Sequence, residues 1–352
     1  MNSSTSLKQT FTSLILFFYV IFPLIFYGGP LLYTLIEGIN FNVHWYVDFS
    51  INSESLTRLL LIHLFIGIGI YIVSKKILMQ IEFNTSENYF FILLMIVCML
   101  FQLTSVSYIK LITFIFLIFL LSNMKIDSKV ILIFLFFGLV SLFTIQDREM
   151  LVFSAILMSF ILRLRLLSII FLSMIGLFIL VFILEPLKYG ISPLDFFSLN
   201  NGFVYLFMHL QPIYVSSFFF LEYDDSFLNI FAEGIPLLKG MLETGSVYSA
   251  EIFSKYDAGI NLDFGSNNSM YANLNGLVVC MILLLSLFFL SNFSNEFSIS
   301  LLFYVCLMGP SFIRRSFGSY FIDLLILFLL VTSIFAFKEL INLALRNKNK
   351  AV

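Results

Sequence analysis

Apolar runs follow one another along almost the whole chain, separated by short polar clusters. A bilayer-crossing helix needs about 20 mostly apolar residues, within a range of ~17–25. By that measure the pattern predicts about ten spans, near 11–28, 58–78, 88–105, 108–123, 130–146, 150–164, 166–184, 271–290, 298–313 and 317–337. Clusters such as Gln146-Asp147-Arg148-Glu149 and the stretch from Ser122 to Lys129 read as the loops between them. The first run resembles a secretory signal in position only. It lacks a small-residue cleavage pattern and many more runs follow, so it reads as a retained span.

One segment breaks the rhythm. Residues 185–270 are mixed in character and hold ten of the chain's 21 acidic residues, against Lys188, Lys239 and Lys255. The expected fold is therefore all-α: a polytopic integral membrane bundle over 1–352, with one large loop subdomain, 185–270, inserted between the seventh and eighth spans. No internal repeat relates the two halves. Within the insertion, 203–221 is apolar enough to cross, although His209, Gln211 and Pro212 interrupt it. A single crossing there would invert everything downstream. A re-entrant hairpin or an interfacial helix keeps the parity and is preferred.

Composition excludes a soluble domain. Sixty per cent of residues are hydrophobic, 11% are charged and 46 of 352 are Phe. Soluble domains carry roughly 25% charged residues. Cys98, Cys280 and Cys306 all fall inside apolar runs and read as small buried hydrophobes.

The basic residues set the orientation. With a cytoplasmic N-terminus, the inner side receives Lys8, Lys75, Lys76, Lys125, Lys129, Arg163, Arg165, Lys338, Arg346, Lys348 and Lys350. The short outer loops receive Arg58, Lys110, Arg148, Arg314 and Arg315. Eleven against five favours two cytoplasmic termini and an extracytoplasmic insertion.

Several chemistries are missing. There is no G-x-x-x-x-G-K-[ST] to cradle nucleotide phosphates and no H-E-x-x-H. His44, His63 and His209 are scattered, and Asp224-Asp225 lack the spacer of an acidic metal motif. No divalent metal and no cofactor is expected.

Three constellations remain. Arg314 and Arg315 sit at the outer mouth of the last two spans, against the positive-inside bias. Guanidinium forks suit pyrophosphate oxygens, whereas the bland alternative is snorkelling to lipid headgroups. Arg58, at the outer end of the second span, can support them. If the last helix begins near Arg315, then Arg315, Ser319 and Asp323 share one face, and Asp323 enters the hydrocarbon region, where ionisable groups usually point inward to a partner. Next, Ser266, Asn267, Asn268 and Tyr271 crowd the end of the insertion. Amides and hydroxyls bind sugar hydroxyls as donor and acceptor, while a plain helix cap accounts for one or two of them. Finally, His209, Asp257 and Asp263 are the acid–base candidates of the insertion.

About ten spans, a large outer loop in the second half, the Ser-Asn-Asn-x-x-Tyr-x-x-Leu stretch from Ser266 and an outer arginine pair resemble the bacterial O-antigen polymerases. These are related to the O-antigen ligases and to membrane glycosyltransferases of the GT-C type. Ligases typically carry a histidine in this polar stretch; here Ser266, Asn267 and Asn268 stand. The resemblance implies an inner-membrane enzyme of lipopolysaccharide and polysaccharide biosynthesis. It would transfer a glycan from one undecaprenyl-pyrophosphate carrier to a second lipid-linked repeat unit at the outer face. Expected partners are undecaprenyl-pyrophosphate-linked oligosaccharide, membrane lipids and a chain-length regulator protein, with no nucleic acid. In that reading Arg314, Arg315 and Arg58 hold pyrophosphate, Ser266, Asn267, Asn268 and Tyr271 hold sugar, and His209, Asp257 or Asp263 orients or deprotonates the acceptor. The rival is a transporter or flippase of the same lipid-linked unit. A membrane acyltransferase is weaker, since neither His44 nor His63 has a carboxylate or arginine beside it in sequence.

Overall fold

The computed structural model describes residues 3–38, 41–43, 49–83, 89–104, 107–144, 149–179, 182–183, 274–290, 292–312 and 317–350. Helices occupy every apolar run among them. They are α1 (Ser3–Leu16), a π-helical turn (Phe17–Ile21), α2 (Phe22–Glu37), α3 (Ser53–Gln80), α4 (Tyr89–Gln102), α5 (Ser107–Asn123), α6 (Ser128–Thr144), α7 (Glu149–Ile161), α8 (Leu166–Ile179), α9 (Leu274–Leu290), α10 (Asn295–Met308) and α11 (Phe317–Lys350). A two-stranded antiparallel ladder, β1 (Phe41–Val43) on β2 (Phe49–Ile51), bridges α2 and α3. Three stretches, Thr5–Glu37, Ser53–Gln80 and Tyr320–Phe337, are long and apolar enough to cross a membrane, and five shorter apolar helices accompany them.

The helix starts follow local chemistry. The Asn52 side chain accepts from the Ser55 amide at 2.8 Å, Ser294 from the Phe297 amide at 3.1 Å, and Asp127 from the Lys129 and Val130 amides at 3.0 and 3.1 Å. Each satisfies donors that a helix N-terminus leaves open. At the end of α7, Arg163 takes φ 51° while the Leu164 amide reaches back to the Ser159 carbonyl at 3.0 Å. That geometry closes the helix and turns the chain sharply into α8.

Two ends differ from the sequence expectation. The first helical stretch runs on past residue 28 to Glu37, where Gly38 at φ 65° stops it. Gly28, Gly29 and Pro30 read as a loop by local rule, yet neighbouring helices can re-satisfy a proline-broken turn within a membrane bundle. Likewise α11 continues beyond 337 through the basic tail to Lys350.

The core lies along the helix axes and is aromatic. Phe11 packs on Phe160 at 4.4 Å, on Phe303 at 5.2 Å and on Phe83 at 5.4 Å between ring centres. The outer surface is equally apolar, with Leu167, Tyr89 and Ile36 among its most exposed side chains. A soluble monomer rarely shows contiguous apolar patches beyond a few hundred Å²; a bundle in lipid has no such restriction. Cys98 and Cys306 are buried free thiols.

Contacts sort the helix ends into two groups. The end of α3 meets the α9–α10 turn: Lys76 donates to Asn292 at 3.2 Å and lies 3.9 Å over the Phe288 ring, and Asn295 bonds the Glu82 backbone in both directions. The end of α5 joins them through Ser122 and Ser300 at 2.7 Å. The start of α1 and the end of α7 join through Phe11 and Phe160, and α11 descends past Phe293 and Phe297 through Phe328. Lys8, Lys75, Lys76 and Lys129 lie on helices whose ends are on this side, and Lys125, Arg163 and Arg165 in the turns that follow α5 and α7. Arg58 and Lys110 lie on helix starts at the other end, where Tyr27, His63 and Phe312 come together.

Candidate functional site: a buried polar cluster at two broken helices

Two prolines govern the site. In an α-helix the Tyr19 carbonyl would accept from the amide of residue 23, but Pro23 has none, and its ring would clash with that carbonyl. The chain widens into the π-helical turn instead, with the Phe22 amide reaching Phe17. The displaced Tyr19 carbonyl lies against Gly67 of α3, so closely that a Cβ there would collide with it. Only glycine fits.

Pro310 does the same to α10. With no amide at 310, the Gly309 amide turns to Cys306 and the α-helix ends at Met308, continuing as a 3₁₀ turn over Gly309–Ser311. The Val305 carbonyl thereby loses its helical donor, and the Tyr19 hydroxyl supplies one at 2.9 Å. One turn on, the Phe312 amide bonds Gly309, and the Met308 carbonyl accepts from the Tyr320 hydroxyl at 3.4 Å. A buried carbonyl without a partner costs roughly 1–3 kcal/mol, so these tyrosines make the break tolerable.

Near the breaks sit the one buried histidine and the one buried carboxylate among the described residues. Asp323 is 1% exposed, and its Oδ2 accepts from the Tyr304 hydroxyl at 2.8 Å. His63 is fully buried; its Nδ1 lies 2.7 Å from the Leu59 carbonyl, and its Nε2 3.5 Å from the Tyr27 hydroxyl. A carbonyl only accepts, so Nδ1 carries a proton and donates it to Leu59, and Nε2 faces the Tyr27 hydroxyl. Phe312 joins the two halves, its ring 4.5 Å from Tyr19 and 5.8 Å from His63. A cavity of about 10 Å³ remains between them, lined by residues including Tyr19, Ile70, Tyr304, Phe312, Tyr320 and Leu324.

Of the residues the sequence put forward, Arg58 lies on α3 and is exposed, six residues past the Asn52 cap. Asp323 points inward to a partner, as its place in an apolar helix led one to expect. The alignment of Arg315 with Ser319 and Asp323 is not tested, since α11 is described from Phe317 onward. Arg314, Arg315, His209, Asp257, Asp263, Ser266, Asn267, Asn268 and Tyr271 lie outside the described residues, as do the insertion 185–270 and the segment 203–221. Among the described residues no group of three or more His, Cys, Asp or Glu is placed to hold a metal ion. Sequence reasoning missed Tyr19, Tyr27, His63, Tyr304 and Tyr320. The signal for them was present: proline inside two apolar runs, and a histidine among apolar neighbours.

Compared with protein-family models, with curated proteins and with solved structures, the chain matches none of them.

Proposed function

We propose that the chain is a polytopic membrane glycosyltransferase of the O-antigen polymerase kind, joining lipid-linked oligosaccharide units at the outer face of the bacterial inner membrane. The observation that carries this is at the sparsely basic end of the bundle. There Phe312 is held between Tyr19 and His63, and the next residues but one in the chain are Arg314 and Arg315. Two guanidinium forks next to one another in the chain suit the oxygens of a pyrophosphate, whose departing negative charge they would meet.

In this reading the ten helical segments are ten spans. The five shorter apolar helices have at most 17 residues, about 26 Å at 1.5 Å per residue. They fall short of the ~30 Å hydrocarbon core, which a locally thinned bilayer or snorkelling flanks accommodate. Both termini belong to the richly basic end and are assigned to the cytoplasm, with 185–270 outside. Reporter fusions after Asn201, Asp257 and Lys348 check this: the first two are expected to report the outside and the third the inside. A cytoplasmic signal at Asp257 or an external one at Lys348 overturns the topology.

The reaction is a substitution at the anomeric carbon of the donor glycan. The acceptor hydroxyl oxygen forms the new bond, the bond from C1 to the phosphate oxygen breaks, and undecaprenyl pyrophosphate leaves. Its departing negative charge meets Arg314 and Arg315, with Arg58 in support, and the acceptor's proton passes to His209, Asp257 or Asp263. Ser266, Asn267, Asn268 and Tyr271 orient the sugars. Neither metal nor cofactor takes part.

A second reading, transport of the same lipid-linked unit, draws on the two broken helices around buried polar groups, a feature of transporters. One reconstitution separates the two. Purified protein in vesicles, given lipid-linked repeat units, is expected to yield a ladder of unit multiples, undiminished in EDTA. Units that cross the bilayer without growing in length favour the transporter. Loss of the ladder in EDTA, restored by magnesium or manganese, excludes the metal-free mechanism.

A further inference from the structure

Among the described residues the β1–β2 ladder is the only sheet, and its register is amphipathic. Phe41 pairs with Ile51, Asn42 with Ser50 and Val43 with Phe49. Residues directly opposite one another share a face, and neighbours along a strand alternate between faces. The apolar positions 41, 43, 49 and 51 therefore fall on one face of the ladder, and Asn42 and Ser50 on the other.

Physical constraints narrow where such a ladder can sit. Two strands leave two open edges, whose backbone amides and carbonyls need water, and open edges are not tolerated within the hydrocarbon core. In water alone, a two-stranded hairpin is at best marginally stable. The base of the ladder lies where the surface of the bundle changes character. On the α2 side Leu32, Leu35 and Ile36 are exposed up to the last turn, and on the α3 side Asn52 and Glu54 are exposed. β1 packs against α2, so the exposed apolar surface of α2 leads directly to the ladder. The five residues that join the strands in sequence, His44-Trp45-Tyr46-Val47-Asp48, include the single Trp of the chain. Trp and Tyr favour the membrane–water interface.

We propose that the β1–β2 hairpin is an interfacial membrane anchor. Its face of positions 41, 43, 49 and 51 rests on the acyl-chain boundary of the leaflet at the Arg58 end of the bundle, and the Asn42–Ser50 face meets water. The partner of the apolar face is lipid, because that face continues the exposed apolar end of α2. The ladder's open edges stay at headgroup level, where water reaches them. This placement is independent of the glycosyltransferase reading and holds whatever substrate the bundle handles.

The test uses the full chain in proteoliposomes, with Cys98, Cys280 and Cys306 replaced by Ala and one nitroxide-labelled cysteine at a time. The variants are Val43→Cys and Phe49→Cys on one face and Asn42→Cys and Ser50→Cys on the other. Each label's collisions are measured with oxygen, which concentrates in lipid, and with a water-soluble nickel chelate. The ratio of oxygen to nickel collisions is expected to be several-fold higher at 43 and 49 than at 42 and 50. Equal ratios dominated by nickel would mean that the ladder stands in water, and would overturn the anchor. Labels at 43 and 49 shielded from both reagents would overturn it too, since protein would then cover the face. Should the cysteine variants not insert, Trp45 of the unsubstituted protein decides. Its fluorescence is expected to be quenched by lipids brominated near the headgroup end of the acyl chains. Quenching by aqueous iodide and not by brominated lipid would refute the placement.

Discussion

Gly67→Ala is expected to lower the thermal stability of the detergent-purified protein more than any other single glycine-to-alanine change on a described helix of the bundle. The added Cβ meets the Tyr19 carbonyl oxygen, and both are backbone. Overpacking a tight interior costs about 1–3 kcal/mol, and more where nothing can yield. Here relief requires parting α3 from the π-helical turn, which also draws Tyr19 away from Val305. Two other glycines calibrate the effect. At Gly69 the obstacle is the Leu284 side chain, which can change rotamer, so a smaller loss is expected. At Gly176 nothing lies within 4 Å, and alanine should be neutral or stabilising by up to about 1 kcal/mol through helix propensity. Melting curves of the three variants check the order. Gly67→Ala melting with Gly176→Ala would mean that the π-helical turn does not sit on α3 as described.

The apolar runs were legible because a span needs little beyond length and hydrophobicity, and helices stand at each run among the described residues. Helix ends were less legible. Gly28-Gly29-Pro30 carries the local marks of a loop, yet it lies within α2, which packs along α3. The interior cluster was hidden for a different reason. Tyr19, Tyr304 and Tyr320 look like three of 16 tyrosines; the first and last gain their roles because the break at Pro310 leaves the Val305 and Met308 carbonyls open, and Tyr304 gains its role from Asp323 on α11. His63 was set aside for want of a charged neighbour in sequence, whereas its partners are the Leu59 carbonyl and Tyr27. Asp323 was legible, since a carboxyl group deep in an apolar helix requires a partner. The remaining candidate site residues of the sequence, Arg58 apart, fall in segments outside the described residues, where their chemistry rests on the sequence.

The other large effect is expected at the arginine pair. If Arg314 and Arg315 hold the donor pyrophosphate, each contact strengthens as negative charge gathers on the leaving group. Losing one such contact typically costs ~3–4 kcal/mol, a factor of about 10²–10³ in rate. Either alanine variant should therefore lose long-chain polymer while inserting normally. Lysine should rescue only in part, because it keeps the charge and loses the two-pronged fork. Residues that merely snorkel to headgroups would tolerate lysine fully and alanine with little loss.

The most direct test is the polysaccharide ladder of cells carrying the Arg314→Ala, Arg315→Ala double variant, with membrane levels of the protein measured alongside. The account predicts lipid carriers bearing single repeat units and no long chains at a normal protein level. A wild-type ladder from that variant would contradict it.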